Sequence, residues 1–262
     1  MSHSQVPPDF EPLSPIRRRR KLLLVSLCVA LFFLSAISLQ RFVGPLELQP
    51  FWSSAYSGPV RVGLQVGHLN SREHPEELAR LRLNTGGHWA GVDEVNINLA
   101  VAQHLGESLE LDGIKVDLLP ATIPKGYKAD LVLSIHADVS PDESRRGYKS
   151  AHFRQPRNSL EPMLKTFIDE AYFYYTGLPD DGNNVSGAML HYYAFNARRY
   201  QHTVDSQTPA LIVELGYISN PEDRTFLEDP TNPSFALKRG IMDYLEAQGR
   251  LPTVTAENAA ED

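Results

Sequence analysis

Cysteine is almost absent from this chain. The single thiol, Cys28, excludes an intrachain disulfide and any zinc site built on several cysteines. It leaves the compartment open, because a protein without disulfides can still be exported. Positive charge is also scarce where it would matter for nucleic acid. The net charge is −7, and residues 1–40 hold five of the basic side chains and only two acidic ones. The rest of the chain therefore carries 20 basic against 30 acidic residues. Nucleic-acid binding relies on Lys and Arg contacts to phosphate, so an acidic globular part argues against it. No internal repeat is present. The length of 262 residues permits one large domain or two small ones, and 42% apolar residues suffice for a sizeable core.

The N-terminal part divides into three segments. Residues 1–21 are polar and proline-bearing and end in the basic run Arg17 to Lys21, which predicts a disordered cytoplasmic tail. Residues 22–39 (LLLVSLCVALFFLSAISL) contain no charge and no proline, close to the length of a bilayer-spanning helix. The flanking positive cluster stays on the cytoplasmic side, which sends the remainder outside. A cleaved signal peptide is the competing reading, but its apolar core would be shorter. Residues 40–58 read as a linker. A single-pass, membrane-anchored protein with an extracytoplasmic domain is the expectation.

The folded domain is predicted over residues 59–249, with an acidic flexible tail over 250–262. Residues 60–66, 114–119, 131–135, 148–153, 187–195 and 210–215 read as strands. Residues 92–109, 159–175 and 232–248 have helical apolar spacing. Residues 70–90 read as loop, with a short helix at 75–83. Short apolar strands alternating with helices predict an α/β fold: a mostly parallel central sheet flanked by helices on both faces. In such sheets, sites lie beyond the carboxyl ends of the strands. His68 and His136 fall at such ends, and Glu214 lies near one.

Two histidines and a carboxylate are a common catalytic zinc set, and a further carboxylate can move the proton. His68, His136, Glu94 and Glu214 supply that set with one residue to spare. Each has a blander explanation. A histidine after a strand is most often a hydrogen-bonded loop residue. Glu94 suits the first turn of a helix on dipole grounds alone. Glu214 is harder to dismiss, since a carboxylate within LIVELG is expensive to bury without a partner or a task.

Four segments together resemble one family. Residues 66–68 (VGH), 94–99 (EVNINL), 129–137 (ADLVLSIHA) and 209–221 (PALIVELGYISNP) are similar, in order, to the motifs of zinc-dependent N-acetylmuramoyl-L-alanine amidases of the type 3 domain. The last two matches are long and specific, and the resemblance covers about residues 59–248. It implies that His68, Glu94 and His136 hold Zn2+ and that Glu214 is the catalytic acid/base. It further implies that the substrate is peptidoglycan, cut between N-acetylmuramic acid and L-alanine. A non-catalytic peptidoglycan-binding or regulatory module, or a related zinc peptidase or deacetylase, remains the alternative. A protein activator is not legible.

The chain departs from the family pattern after Gly67-His68. The usual Gly-Gly and Asp-x-Gly turn is replaced by Leu69-Asn70 and an insertion reaching His88. The stretch before the second histidine is shortened to residues 120–128. These changes bear on substrate preference more than on the metal site. Within the insertion, His74 and His88 read as exposed loop residues, with a substrate-facing or lid role as the alternative. His191 reads as hydrogen-bonded in the core, with a place near the cleft as the alternative, and His104 reads as structural or exposed.

Overall fold

A computed structural model describes residues 56–251. The expected cytoplasmic tail, the anchor at 22–39, nearly all of the linker and all but the first two residues of the acidic tail lie outside the described residues. Among the described residues no helix is long and apolar enough to cross a membrane.

One five-stranded sheet organises the domain. Its strands are β1 (Arg61–Val66), β4 (Lys115–Leu119), β5 (Leu131–Asp138), β6 (Lys149–Ala151) and β7 (Ala210–Tyr217), in the order β4-β1-β5-β7-β6. The first four in that order run parallel, and β6 pairs antiparallel with β7 at the edge. A two-stranded ribbon, β2 (His88–Trp89) with β3 (Val92–Asp93), stands apart. The helices are α1 (Glu94–Glu110), α2 (Leu160–Thr176), α3 (Gly187–Leu190), α4 (Pro221–Leu227) and α5 (Thr231–Ala247). Strand β5 is paired on both edges and covered on both faces. Its near-continuous apolar run is what that position demands.

Alternation along the strands sorts side chains to the two faces. Val62, Leu64 and Val66 on β1, Leu131, Leu133 and Ile135 on β5, and Leu211, Val213 and Leu215 on β7 share one core. Ile97, Val101 and Leu105 of α1, Leu164 and Ile168 of α2, and Leu237 and Ile241 of α5 pack onto it. Helices α2 and α5 meet at Gly240, where a Cβ would stand 2.8 Å from the Ile168 Cα and from the Phe167 carbonyl oxygen. The opposite face presents Gln65, Ser134, His136, Ile212 and Glu214.

That opposite face corrects two expectations. The long helices do not flank both sides: α1, α2 and α5 all cover the first face. The second is covered by the single-turn α3, by 3-10 turns and by loops. Residues 187–195 are accordingly not a strand. Ser186 caps α3 by accepting from the Met189 N–H (3.2 Å), and residues 193–195 form a 3-10 turn. Met189, Tyr192, Ala194 and Phe195 then bury against Ala151 and Ile212, so the apolar pattern mistaken for a strand is a cover for one. The short helix expected at 75–83 is present as a 3-10 helix at Glu76–Leu81, and the insertion adds a further 3-10 turn at Ser71–Glu73 before the ribbon. At the other end, Arg250 is tied to the domain rather than starting a free tail. Its guanidinium donates to Asp130 Oδ1 (2.6 Å) and to the Gly58 carbonyl (2.7 Å).

Candidate metal centre and cleft

Three of the four residues singled out above converge. His68 follows the end of β1 in a left-handed conformation (φ 66°), which turns its ring toward the first turn of α1. Glu94 opens α1, and His136 lies near the end of β5. Glu94 Oε1 sits 3.0 Å from His136 Nδ1 and 3.2 Å from His68 Nε2. One ligand atom from each residue lies within 4.8 Å of the others. The two rings meet edge to face at 4.9 Å. Gly67 makes this approach possible: a Cβ there would lie 2.5 Å from His136 Cε1 and 2.6 Å from Nδ1.

The insertion holds two of these groups. The Asn84 carbonyl meets His68 Nδ1 at 3.0 Å, which places the proton on Nδ1 and leaves the Nε2 lone pair facing Glu94. The Gly87 N–H donates to Glu94 Oε2 (2.7 Å), and the Gly87 carbonyl accepts from the Glu94 N–H (2.9 Å). Residues 70–90 also form one wall of the cleft, through Ser71, His74, Arg80, Leu81 and Asn84.

His136 is oriented by a chain whose direction can be read from its far end. The Ala121 carbonyl can only accept. It takes Gln65 Nε2–H (2.7 Å) and Tyr193 O–H (2.6 Å). Gln65 Oε1 is therefore the acceptor end of that amide, and it takes the Tyr192 hydroxyl proton (3.1 Å) and that of Ser134. Tyr192 has then donated its proton and must accept from His136 Nε2–H (3.0 Å). The remaining nitrogen, Nδ1, presents its lone pair to Glu94. Two imidazole lone pairs and one carboxylate oxygen, each steered by a second partner, fit a three-ligand divalent metal site.

Glu214 completes the group. It stands directly across from His136 in the β5–β7 register and lines the cleft. Its Oε2 is buried and has no hydrogen-bond partner. Burial, with the charges of Glu94 and Asp138, pushes its carboxyl well above the usual range, while Lys149 acts against them. Glu94 behaves oppositely. Burial works against its charge, but the hydrogen bonds and charge of His136 and His68 hold it well below that range. His68 is in turn raised: burial lowers it, and Glu94 more than compensates.

Sequence reasoning missed Gln65, Tyr192 and Lys149. Gln65 was detectable as a polar residue within the apolar β1. Lys149 is buried and bridges Asp138 Oδ2 (2.6 Å) and Asp181 Oδ2 (3.1 Å), beside the Tyr217 hydroxyl. It pairs with Glu214 across β6 and β7. Two histidine expectations also need correcting. His74 is buried, with Nδ1 at 2.7 Å from Thr122 Oγ1, and lines the cleft. His191 is exposed at the cleft, edge-on to Phe153, rather than bonded in the core. His88 is exposed and pairs with Asp93, and His104 Nδ1 lies 2.7 Å from Ser234 Oγ between α1 and α5.

Comparison with known proteins agrees with this architecture. A family model described as N-acetylmuramoyl-L-alanine amidase matches residues 62–243. The "Probable cell wall amidase LytH" of Staphylococcus epidermidis is 25% identical over 159 residues, covering 58% of this chain and 49% of that protein. Its Staphylococcus aureus counterpart matches with the same identity and coverage. The chain thus spans about half the length of these curated relatives. The catalytic domain of CwlV, an N-acetylmuramoyl-L-alanine amidase from Bacillus (Paenibacillus) polymyxa var. colistinus, superposes with a TM-score of 0.51 at 20% identity, over 71% of this chain and 98% of that one. The amidase Ami1 from Mycobacterium smegmatis gives 0.53 at 16% identity, over 72% and 97%. At those identities the structures establish a shared fold. The family match runs from the second residue of β1 well into α5, spanning His68, Glu94, His136 and Glu214 alike, and on it the chain belongs to the N-acetylmuramoyl-L-alanine amidase family.

Proposed function

We propose that this protein hydrolyses the amide between the lactyl group of N-acetylmuramic acid and L-alanine in peptidoglycan, with zinc held by His68, Glu94 and His136. The observation that carries the reading is Glu214. Its buried, partnerless Oε2 lies on the strand next to His136 and faces the same cleft as the two histidines. An unsatisfied buried carboxylate oxygen is expensive unless it has work to do. Zinc, when bound, supplies Lewis acidity, which acidifies water and polarises the scissile carbonyl. Glu214 accepts the proton of the attacking water and returns it to the departing alanine amine. Burial, with the charges of Glu94 and Asp138, raises the proton affinity of this carboxyl, which favours holding the proton between the two transfers. The charged Glu94 and the two steered imidazoles keep the metal position fixed. The uncharged segment at 22–39, behind Arg17 to Lys21, supports a membrane-anchored protein whose folded domain faces the cell wall.

The test is hydrolysis of purified peptidoglycan by the full-length chain, followed by labelling of new amino termini. New alanine amines are expected. Glu214→Ala removes them while zinc content is unchanged. Activity retained in that variant removes Glu214 from the mechanism. Free acetate, or termini other than alanine, replaces the amidase with a different hydrolase.

A further inference from the structure

The cleft has a volume of about 470 Å³, within the range of small-ligand pockets. Its lining also includes Arg80, Arg199 and Tyr200. Among the described residues lining the cleft, Glu214 is the only carboxylate. That is notable in a chain with 30 acidic residues beyond position 40.

The two arginines share one ring. The Arg80 guanidinium lies 6.0 Å from the centroid of Tyr200 and donates to its hydroxyl (3.0 Å). The Arg199 guanidinium lies 5.3 Å from the same centroid. Neither has a carboxylate partner among the described residues, and both are exposed while Tyr200 is buried between them and the domain. The nearby acids are engaged elsewhere. Glu76 pairs with Arg82. Glu77 accepts the N–H groups of Gln201 (2.9 Å) and His202 (2.9 Å) and the His202 ring (2.6 Å). Burial opposes its charge slightly, but those donors hold the Glu77 carboxyl down at about 2. The Glu77 contacts also staple the 3-10 turn that carries Arg80 to the segment that carries Arg199. Two cations are therefore held against one ring by a fixed frame, in the lining of the cleft. Like charges so placed repel, and an anion bridging them relieves the repulsion. Guanidinium groups match a carboxylate through paired N–H donors.

We infer that Arg80 and Arg199 form a carboxylate subsite that reads a free carboxylate of the stem peptide. This rests on the amidase reading above. The sugar side of the scissile amide carries no charge, so the acid belongs to the peptide side. The insertion contributes Arg80, which makes the subsite a feature of this chain's altered cleft wall.

The experiment uses full-length protein and synthetic muramoyl peptides. One has free carboxylates, a second is amidated at the second residue, and a third is amidated at the third residue. Wild type is expected to favour the free acid, and the disfavoured amide identifies which carboxylate is read. Arg80→Gln and Arg199→Gln are each expected to raise KM for the free acid roughly ten- to a hundredfold, the effect of losing a charge-assisted hydrogen bond. Their kcat on the free acid should change far less than KM, and the preference for the free acid over the disfavoured amide should be lost. Arg→Lys at either position should fall between, because charge is kept and the fork is lost. Equal treatment of all three peptides by wild type overturns the subsite, as does a loss in the variants that is the same on acid and amide. If wild type releases no alanine amine from any peptide, the amidase reading fails instead. Equilibrium binding of the same peptides to wild type and Arg199→Gln then decides the subsite, and equal affinities for acid and amide overturn it.

Discussion

Removing one hydroxyl at Tyr192 tests the orientation chain behind the metal position. Tyr192→Phe deletes the acceptor of His136 Nε2–H (3.0 Å) and the donor to Gln65 Oε1 (3.1 Å). Gln65 keeps the Ser134 hydroxyl as a donor, so its oxygen stays satisfied. His136 does not recover as well. Its Nε2–H is left without a partner in a buried site, a loss of about 1–3 kcal/mol. The ring also loses what distinguished Nε2 from Nδ1, so the lone pair aimed at Glu94 is no longer enforced. Loss of such an outer partner lowers metal affinity about 10–100-fold. The assay is zinc competition against a chromophoric chelator, run beside thermal unfolding of the apoprotein. Tyr193→Phe is the control. Tyr193 donates to the same Ala121 carbonyl but does not touch His136, so zinc affinity should stay near wild type. Refutation would be a Tyr192→Phe protein that loses stability by this amount yet binds zinc as tightly as before. Tyr192 would then be packing against His136 without steering it.

Three other expectations follow from the geometry. Gly67→Ala places a Cβ 2.5 Å from the His136 ring, so the ring must move; zinc content after dialysis should fall sharply while far-UV circular dichroism stays native. Lys149→Met removes the cation beside Asp181, which is nearly buried and keeps the Tyr217 hydroxyl and the Asn184 amide as donors, while Asp138 is 33% exposed and can find water. Denaturant titration should show a loss of about 3 kcal/mol, the low end for breaking a buried pair. Finally, Glu94 raises the proton affinity of His68, so protons compete for its Nε2 from above the ordinary histidine value. The proton-bound form is favoured below that pKa and the free lone pair above it. Zinc affinity should therefore weaken as pH falls from neutral, and a pH-independent affinity between about 8 and 6 would contradict the assignment.

The parts of the site that were legible in sequence share a physical reason. His136 and Glu214 lie on strands paired on both edges, where any polar residue stands out against a continuous apolar run. Glu94 opens a helix whose apolar spacing is unambiguous. What was not legible depends on tertiary packing. Tyr192 belongs to a segment whose apolar residues are spaced like a strand's, and only the sheet beneath it shows that they form a lid. His74 looks like an exposed loop histidine because nothing local announces Thr122 and Tyr193 as its neighbours. Lys149 is a lone cation in a short strand, and its acid partners come from β5 and from beyond α2.

The insertion after His68 joins two tasks that are usually separable. Its Asn84 carbonyl and Gly87 amide set the posture of two proposed metal ligands, while its His74 and Arg80 face the incoming chain. The proposed specificity and metal-positioning roles therefore fall on one covalent segment. A graft that exchanges this wall for another amidase's, in order to redirect the enzyme to a different stem peptide, is expected to disturb the proposed metal position unless Asn84 and Gly87 are carried across unchanged.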